Sequence, residues 1–348
     1  MVKIGVIVKI MDEMECKNIV LTLLSQVGKV EWNSYQLKVS ANDCTDATVI
    51  LNYGNSKKTI LLEFKSTGEP RAIAEYVGRM NSRSRDECYP ILVAPFISDR
   101  GRELCERSNI GCIDLSGNAF IKFDTIYINK WGNSNKYKVK RKQKNLLSSK
   151  SSWVIRAMLN APKNEWTMQE LSTCSSVSLA QVYKVLDGLE AENYLQKTRG
   201  STKLSDPSGL LDMWVKDYRL NDQKIVGYYS PLKGYDQIFP RLRQLPGSDY
   251  ALTLGAAAQL VLPVVRSTDV YMYVQNCEAV KIALELESVE FGGNVYLITP
   301  KDEMVLKNAQ VIDGIRTVSN LQLYLDLYNY PQRGREQADA IREKILGV

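Results

Sequence analysis

The chain contains no histidine. That excludes Ser-His and Cys-His nucleophilic catalysis, histidine general bases and imidazole-ligated metals. Any catalysis has to use carboxylates, lysine, tyrosine or a hard, oxygen-ligated metal such as magnesium. The 7 cysteines (Cys16, Cys44, Cys88, Cys105, Cys112, Cys174 and Cys277) are odd in number and show no CxxC spacing. Zinc ribbons and disulfide frameworks therefore lack support, and buried free thiols are expected. No stretch reaches the roughly 18 uninterrupted apolar residues of a membrane span. The opening Met1-Val2-Lys3-Ile4-Gly5-Val6 is too short an apolar run for a secretory signal and has no small-residue cleavage site. The expectation is a cytoplasmic protein.

What remains is an ordinary globular composition of 348 residues, 45% hydrophobic and 24% charged. That length accommodates two or three domains of roughly 100–150 residues. The net charge of +6 is unevenly spread. Residues 136–205 hold thirteen Lys/Arg against five Asp/Glu, a net of +8, so the rest of the chain sums to −2. Positive charge gathered into one segment is what a phosphate-binding surface requires.

Apolar spacing predicts a helix over 12–28, strands over 35–39, 47–53 and 58–65, and a helix over 69–82. The run Tyr89–Pro95 reads as a strand, 98–108 as a helix, and 110–114 and 119–128 as strands. Together they make an α/β domain over residues 1–130. Residues 131–148 are polar and basic and read as a linker. A solvated tether and a phosphate-contacting arm are both open for it, and its place before the next domain favours the arm. Lys138, Lys140, Arg141, Lys142 and Lys144 are its candidate DNA contacts.

Residues 149–220 carry three short helices and a hairpin. The first, 149–162, has Trp153, Val154, Ala157, Met158 and Ala161 on its apolar side. The second opens on Thr167-Met168-Gln169-Glu170, a capping box. After the turn Ser175–Ser178, the third runs to about 192, with Leu179, Val182, Val185, Leu186 and Leu189 expected inside. A basic hairpin follows, turning at Thr198-Arg199-Gly200-Ser201-Thr202. This order predicts a winged helix-turn-helix. Its third helix would enter the major groove of double-stranded DNA and present Ser178, Gln181, Tyr183 and Lys184, while the wing offers Arg199 and Lys203. Residues 225–348 read as a further α/β domain, with helices over 251–263, 321–327 and 336–346 and strands over 270–274 and 295–298.

The winged-helix region resembles the AbiEi family of bacterial antitoxin-type transcriptional regulators. The residues that carry the likeness are Ser178-Leu179-Ala180-Gln181-Val182-Tyr183-Lys184-Val185-Leu186 and the run from Leu204 to Trp214. Similar proteins also carry stretches like 63–71, 94–103 and Asp114-Leu115-Ser116-Gly117-Asn118-Ala119. The resemblance covers most of the chain. It implies a DNA-binding regulator, the antitoxin of a type IV toxin-antitoxin system with a cognate toxin as partner; a homodimer is also open.

Asp46, Glu63 and Lys65 look like the D…ExK pattern of restriction-endonuclease-like folds. With a turn centred on Asn55-Ser56, Asp46 is expected opposite Lys65, with Glu63 on the same face. Two carboxylates can hold magnesium and a lysine can orient a water, which makes a metal-dependent nuclease the alternative function. Glu15 is a further candidate acid. An inactive relic is the competing reading. In the C-terminal domain, Leu254-Gly255-Ala256-Ala257-Ala258 and Ser267-Thr268-Asp269-Val270-Tyr271 resemble a nucleotidyltransferase core. Tyr271 stands where a second acid is needed, which implies a degenerate member; an unrelated α/β fold is equally open.

Overall fold

The computed structural model describes residues 13–33, 45–80, 88–137, 146–162, 164–245 and 250–348. The expected strand over 35–39 lies outside them. The protein is mixed α/β and divides into two compact units: residues 1–144 with 187–193, and residues 145–186 with 194–348.

The first unit begins with α1 (Glu13–Leu24), β1 (Lys29–Asn33), β2 (Ala47–Tyr53), β3 (Ser56–Phe64) and α2 (Pro70–Met80). It continues with β4 (Cys88–Ala94), α3 (Asp99–Arg107), β5 (Gly111–Asp114), β6 (Ala119–Phe123) and β7 (Ile126–Lys130). All seven strands form one sheet in chain order. β1, β2 and β3 are antiparallel, β3, β4 and β5 parallel, and β5, β6 and β7 antiparallel again. Strand β4 is apolar throughout because both its faces are buried. Ile91 and Val93 join Cys16, Val20 and Leu24 of α1, whereas Leu92 and Ala94 join Ile73 and Tyr76 of α2 and Cys105 of α3.

Three expectations change in this unit. β1 was not foreseen. The strand expected over 119–128 is a hairpin, β6 and β7, turned at Asp124 with φ of 47°. The β2–β3 turn is Gly54-Asn55, with Tyr53 paired to Ser56, so the register lies two residues from the expected one. Gly54 adopts φ of 53°, a conformation glycine enters without a Cβ penalty. Continuing that register brings Asp46 level with Glu63 rather than Lys65.

The second unit opens with α4 (Ser149–Asn160), α5 (Met168–Ser175) and α6 (Leu179–Ala191), whose final residues group with the first unit. Next come β8 (Leu195–Lys197), β9 (Thr202–Leu204) and α7 (Pro207–Asp217). The capping box on α5 is present: Thr167 Oγ1 accepts from the Glu170 amide and Glu170 accepts from the Thr167 amide. β8 and β9 form a two-stranded ribbon, to which Trp166 adds one bridge through paired 2.8 Å bonds with Thr202.

The chain then forms β10 (Lys224–Tyr229), α8 (Gly234–Leu242), β11 (Tyr250–Thr253), α9 (Leu254–Val261), β12 (Val270–Val274) and α10 (Cys277–Ala283). It ends with β13 (Glu287–Ser288), β14 (Val295–Thr299), α11 (Met304–Lys307), β15 (Gln310–Ile312), β16 (Ile315–Thr317), α12 (Asn320–Tyr328) and α13 (Gly334–Ile341). Their seven-stranded sheet has the order β13-β10-β14-β12-β11-β16-β15, with β12/β14 and β11/β16 parallel. The helix expected over 251–263 is instead a strand to Thr253 and a helix from Leu254, and Leu254 itself has φ of 49°. The helix expected to reach 346 ends at Ile341, followed by a π-helical turn. α12 is buried from Leu321 to Leu327, polar residues included.

Candidate functional site

The D…ExK residues gather at the carboxyl end of β3. The Asp46 amide donates to the Leu62 carbonyl and the Phe64 amide donates to Asp46 Oδ2, both at 2.8 Å. These bonds tie Asp46 across the strand pair, beside Glu63. Glu63 is 3% exposed. Its Oε1 accepts from Lys65 Nζ at 2.8 Å and lies 3.7 Å from Arg79 Nη2. Its Oε2 is buried with no hydrogen-bond partner. Burial pushes the Glu63 carboxyl above the ordinary range and the nearby Asp46 charge adds to the rise, against Lys65 and Arg79. The Lys65 amide donates to the Val93 carbonyl, which fixes the end of β3 against β4.

The donor set suits a hard cation. A buried carboxylate oxygen without a donor is costly unless something positive meets it. Asp46 and Glu63 both offer oxygen, and Lys65 supplies a charge at the rim. Among the described residues no group of three or more acids or thiols gathers, so water or substrate oxygens would have to complete the shell. Glu15 is not a third acid here: its Oε1 accepts from the Tyr137 hydroxyl at 2.6 Å.

The run 114–119 has a structural task. Asp114 is fully buried and accepts from the amides of Ile97 and Asn118 and from Asn118 Nδ2. Asn118 in turn pairs with the Asn133 backbone in both directions. Gly117 has φ of 98°, which permits this tight turn. The motif clamps β5 and β6 to the segment after β4.

On the helix–ribbon module, Tyr183 is 55% exposed, and Ser178, Lys184, Arg199 and Lys203 are exposed as well. Lys197 Nζ sits 5.8 Å from the Tyr183 ring centroid. Two residues depart from expectation. Leu179, expected inside, is 42% exposed. Gln181, expected to face outward, is half-buried and donates its side-chain amide to Ser151 Oγ of α4 at 3.1 Å. The outward face of α6 is thus Leu179, Ala180, Tyr183 and Lys184. Arg156 contributes nothing to this basic surface: it is buried, 3.7 Å from Asp302 and stacked over Trp214. Lys138, Lys140, Arg141, Lys142 and Lys144 lie outside the described residues.

In the C-terminal sheet, Tyr271 stacks on Tyr296 at 4.3 Å and meets Tyr330 edge-on. The position two residues after Asp269 is therefore part of an aromatic stack. A polar cluster that sequence reasoning missed lies nearby. Asp326, fully buried, accepts from Thr253 Oγ1 at 2.5 Å, Tyr218 at 2.5 Å, Gln322 Nε2 at 2.7 Å and Tyr273 at 3.0 Å. Gln322 and Asp326 stand four apart on α12. That spacing, which places both on one face of an otherwise apolar helix, was the available signal.

No protein family and no characterised protein matches this chain in sequence. Two solved structures are similar over 30% of it. One is a repair endonuclease from Pyrococcus abyssi, at 17% identity and a TM-score of 0.23. The other is EndoMS in apo form, at 19% identity and a TM-score of 0.20. The match spans 46% of each of those chains.

Proposed function

We propose that this chain is a DNA-binding protein whose first unit carries a divalent-cation site of the nuclease type. The observation that carries the reading is Glu63: a nearly fully buried carboxylate with an unpartnered oxygen, beside a second carboxylate and touching Lys65. Buried acids whose pKa is raised by desolvation beside a second charge are found at reaction centres. The surrounding order also supports it: helix, three antiparallel strands, helix and a parallel strand, with Glu63 and Lys65 at the end of the third strand. That order fits the restriction-endonuclease-like reading. Asp46 and Glu63 would hold magnesium or manganese. When bound, such a cation neutralises charge developing on a phosphoryl group and acidifies a water. Lys65 then has two tasks: it holds the Glu63 carboxylate in place and orients a water toward the phosphodiester. The direct test is metal titration. Manganese is expected to raise the melting temperature of the wild type by mass action, and Asp46→Ala is expected to remove that rise. An equal rise in both proteins sinks the site.

A second reading, a transcriptional regulator of the AbiEi type, is favoured by Tyr183, Lys184, Lys197, Arg199 and Lys203 on one helix and its ribbon. In this reading the helix–ribbon module is a winged helix that docks in the major groove, and a cognate toxin is the partner. Duplex binding should weaken steeply with salt, at about −0.9 log units per phosphate contact per log unit of salt. Lys184→Ala together with Arg199→Ala should reduce that slope by about 2. Filter binding across a salt series measures it, and an unchanged slope would move the interface elsewhere.

A further inference from the structure

In the second unit a cavity of about 730 Å³ opens beyond the carboxyl ends of β12 and β14. That edge of a parallel strand pair is where α/β sheets commonly place ligands. The size is in the usual range for small-molecule sites. Trp153 of α4 forms one wall, Gln275 and Thr299 bring polar groups from the strand ends, and Lys301, Lys307 and Arg316 bring positive charge.

The acids of the lining are already engaged. Asp302 accepts from the Trp153 indole at 2.9 Å and from the Met304 amide at 2.9 Å, and faces the buried Arg156 behind the wall. Glu303 pairs with Lys307 at 2.8 Å. Lys301 is exposed and has no ion-pair partner among the described residues. Lys307 also lies over the Trp153 ring, 6.0 Å from its centroid, and Arg316 donates to the Leu306 carbonyl. Lys301 is therefore the lining cation open to a ligand, with the charges of Lys307 and Arg316 behind it. A flat ring for the indole, hydrogen-bonding edges for Gln275 and Thr299, and a dianion for the cations describe one class of molecule.

We infer that this cavity binds a nucleoside monophosphate, with the phosphate at the Lys301 side and the base against Trp153. The site is separate from the carboxylates of the first unit and does not depend on their activity. The test uses the full chain in EDTA, so that no metal-bridged binding at Asp46 and Glu63 contributes. AMP, GMP, CMP and UMP are titrated by calorimetry, with inorganic phosphate as the control. At least one nucleotide is expected to bind once per chain with a Kd below about 1 mM. Phosphate alone should bind about tenfold more weakly. Lys301→Glu, an exposed change that leaves the melting temperature in place, should weaken the nucleotide about tenfold or more. Trp153→Leu should weaken the nucleotide and leave phosphate unaffected. Three results each overturn the assignment: no nucleotide binding below about 1 mM, phosphate binding as tightly as the nucleotides, or unchanged affinity in Lys301→Glu.

Discussion

On the proposed nuclease reading, Glu63→Gln should lower magnesium-dependent cleavage of duplex DNA by about 10²–10⁴-fold. A metal-held site supplies several kcal/mol, and each 1.4 kcal/mol is about tenfold in rate. The amide is nearly isosteric and its carbonyl can still accept from Lys65, so the fold should persist. The same variant carries a pH signature that does not depend on activity. Burial raises the folded-state pKa of Glu63 above its unfolded value. Its contribution to stability is therefore fully present below the unfolded pKa and is lost as pH rises through the raised folded pKa. In EDTA the wild-type melting temperature should fall across that window, and Glu63→Gln should flatten the fall. Manganese binding should strengthen over the same window, because the ligand must be deprotonated. Cleavage that survives in Glu63→Gln would assign the chemistry to another site. Parallel melting curves in the two proteins would show that Glu63 is not perturbed.

Asp326→Ala should destabilise the second unit by about 1–3 kcal/mol for each buried donor it leaves unmet. Removing the carboxylate takes the shared acceptor from the hydroxyls of Thr253, Tyr218 and Tyr273 and from the Gln322 amide. Gln322 keeps its 2.9 Å bond to the Tyr218 hydroxyl, and the Tyr218 and Tyr273 hydroxyls keep each other at 3.3 Å, so Thr253 is left with the greatest loss. The four donors come from the end of β11, the residue after α7, β12 and α12, so one side chain holds four elements in common. Burial pushes the Asp326 carboxyl upward while these four donors pull it down, and burial prevails. Asp326→Asn keeps an acceptor but adds a donor among donors, and about 1–3 kcal/mol is the expected cost. Urea denaturation resolves both. An Asp326→Ala protein within about 0.5 kcal/mol of wild type would mean that the cluster is solvated or remodelled.

The parts of the fold that were legible in sequence are those written locally. The capping box of Thr167 and Glu170 fixes the start of α5, and the apolar run of β4 announces a strand buried on both sides. The observed β2–β3 register differs from the expected one, yet Asp46, Glu63 and Lys65 still share one face. An error of two residues preserves facing, whereas an error of one would have reversed it. The losses occur where backbone conformation carries no residue-type flag. Asp124 and Leu254 both take positive φ without being glycine: the first turns β6 into β7, and the second begins α9. Gln181 shows a different limit. Helical periodicity places it near the outer face of α6, but Ser151 on α4 offers an acceptor that only the packed structure brings within reach.

The two sheets differ in how their strands are assembled. Among the described residues of the first unit, every strand after β1 pairs with its predecessor in the chain, so the sheet grows by adding each new strand to an edge already present. Short sequence separations close cheaply and favour fast folding, and they suit a chain emerging from the ribosome one segment at a time. In the second, β10 at 224–229 waits for β14 at 295–299, and β11 waits for β16. Until then β10 exposes an unpaired edge, the kind of surface that recruits other chains. Under refolding from denaturant the second unit should be the slower to form and the one whose yield falls as protein concentration rises.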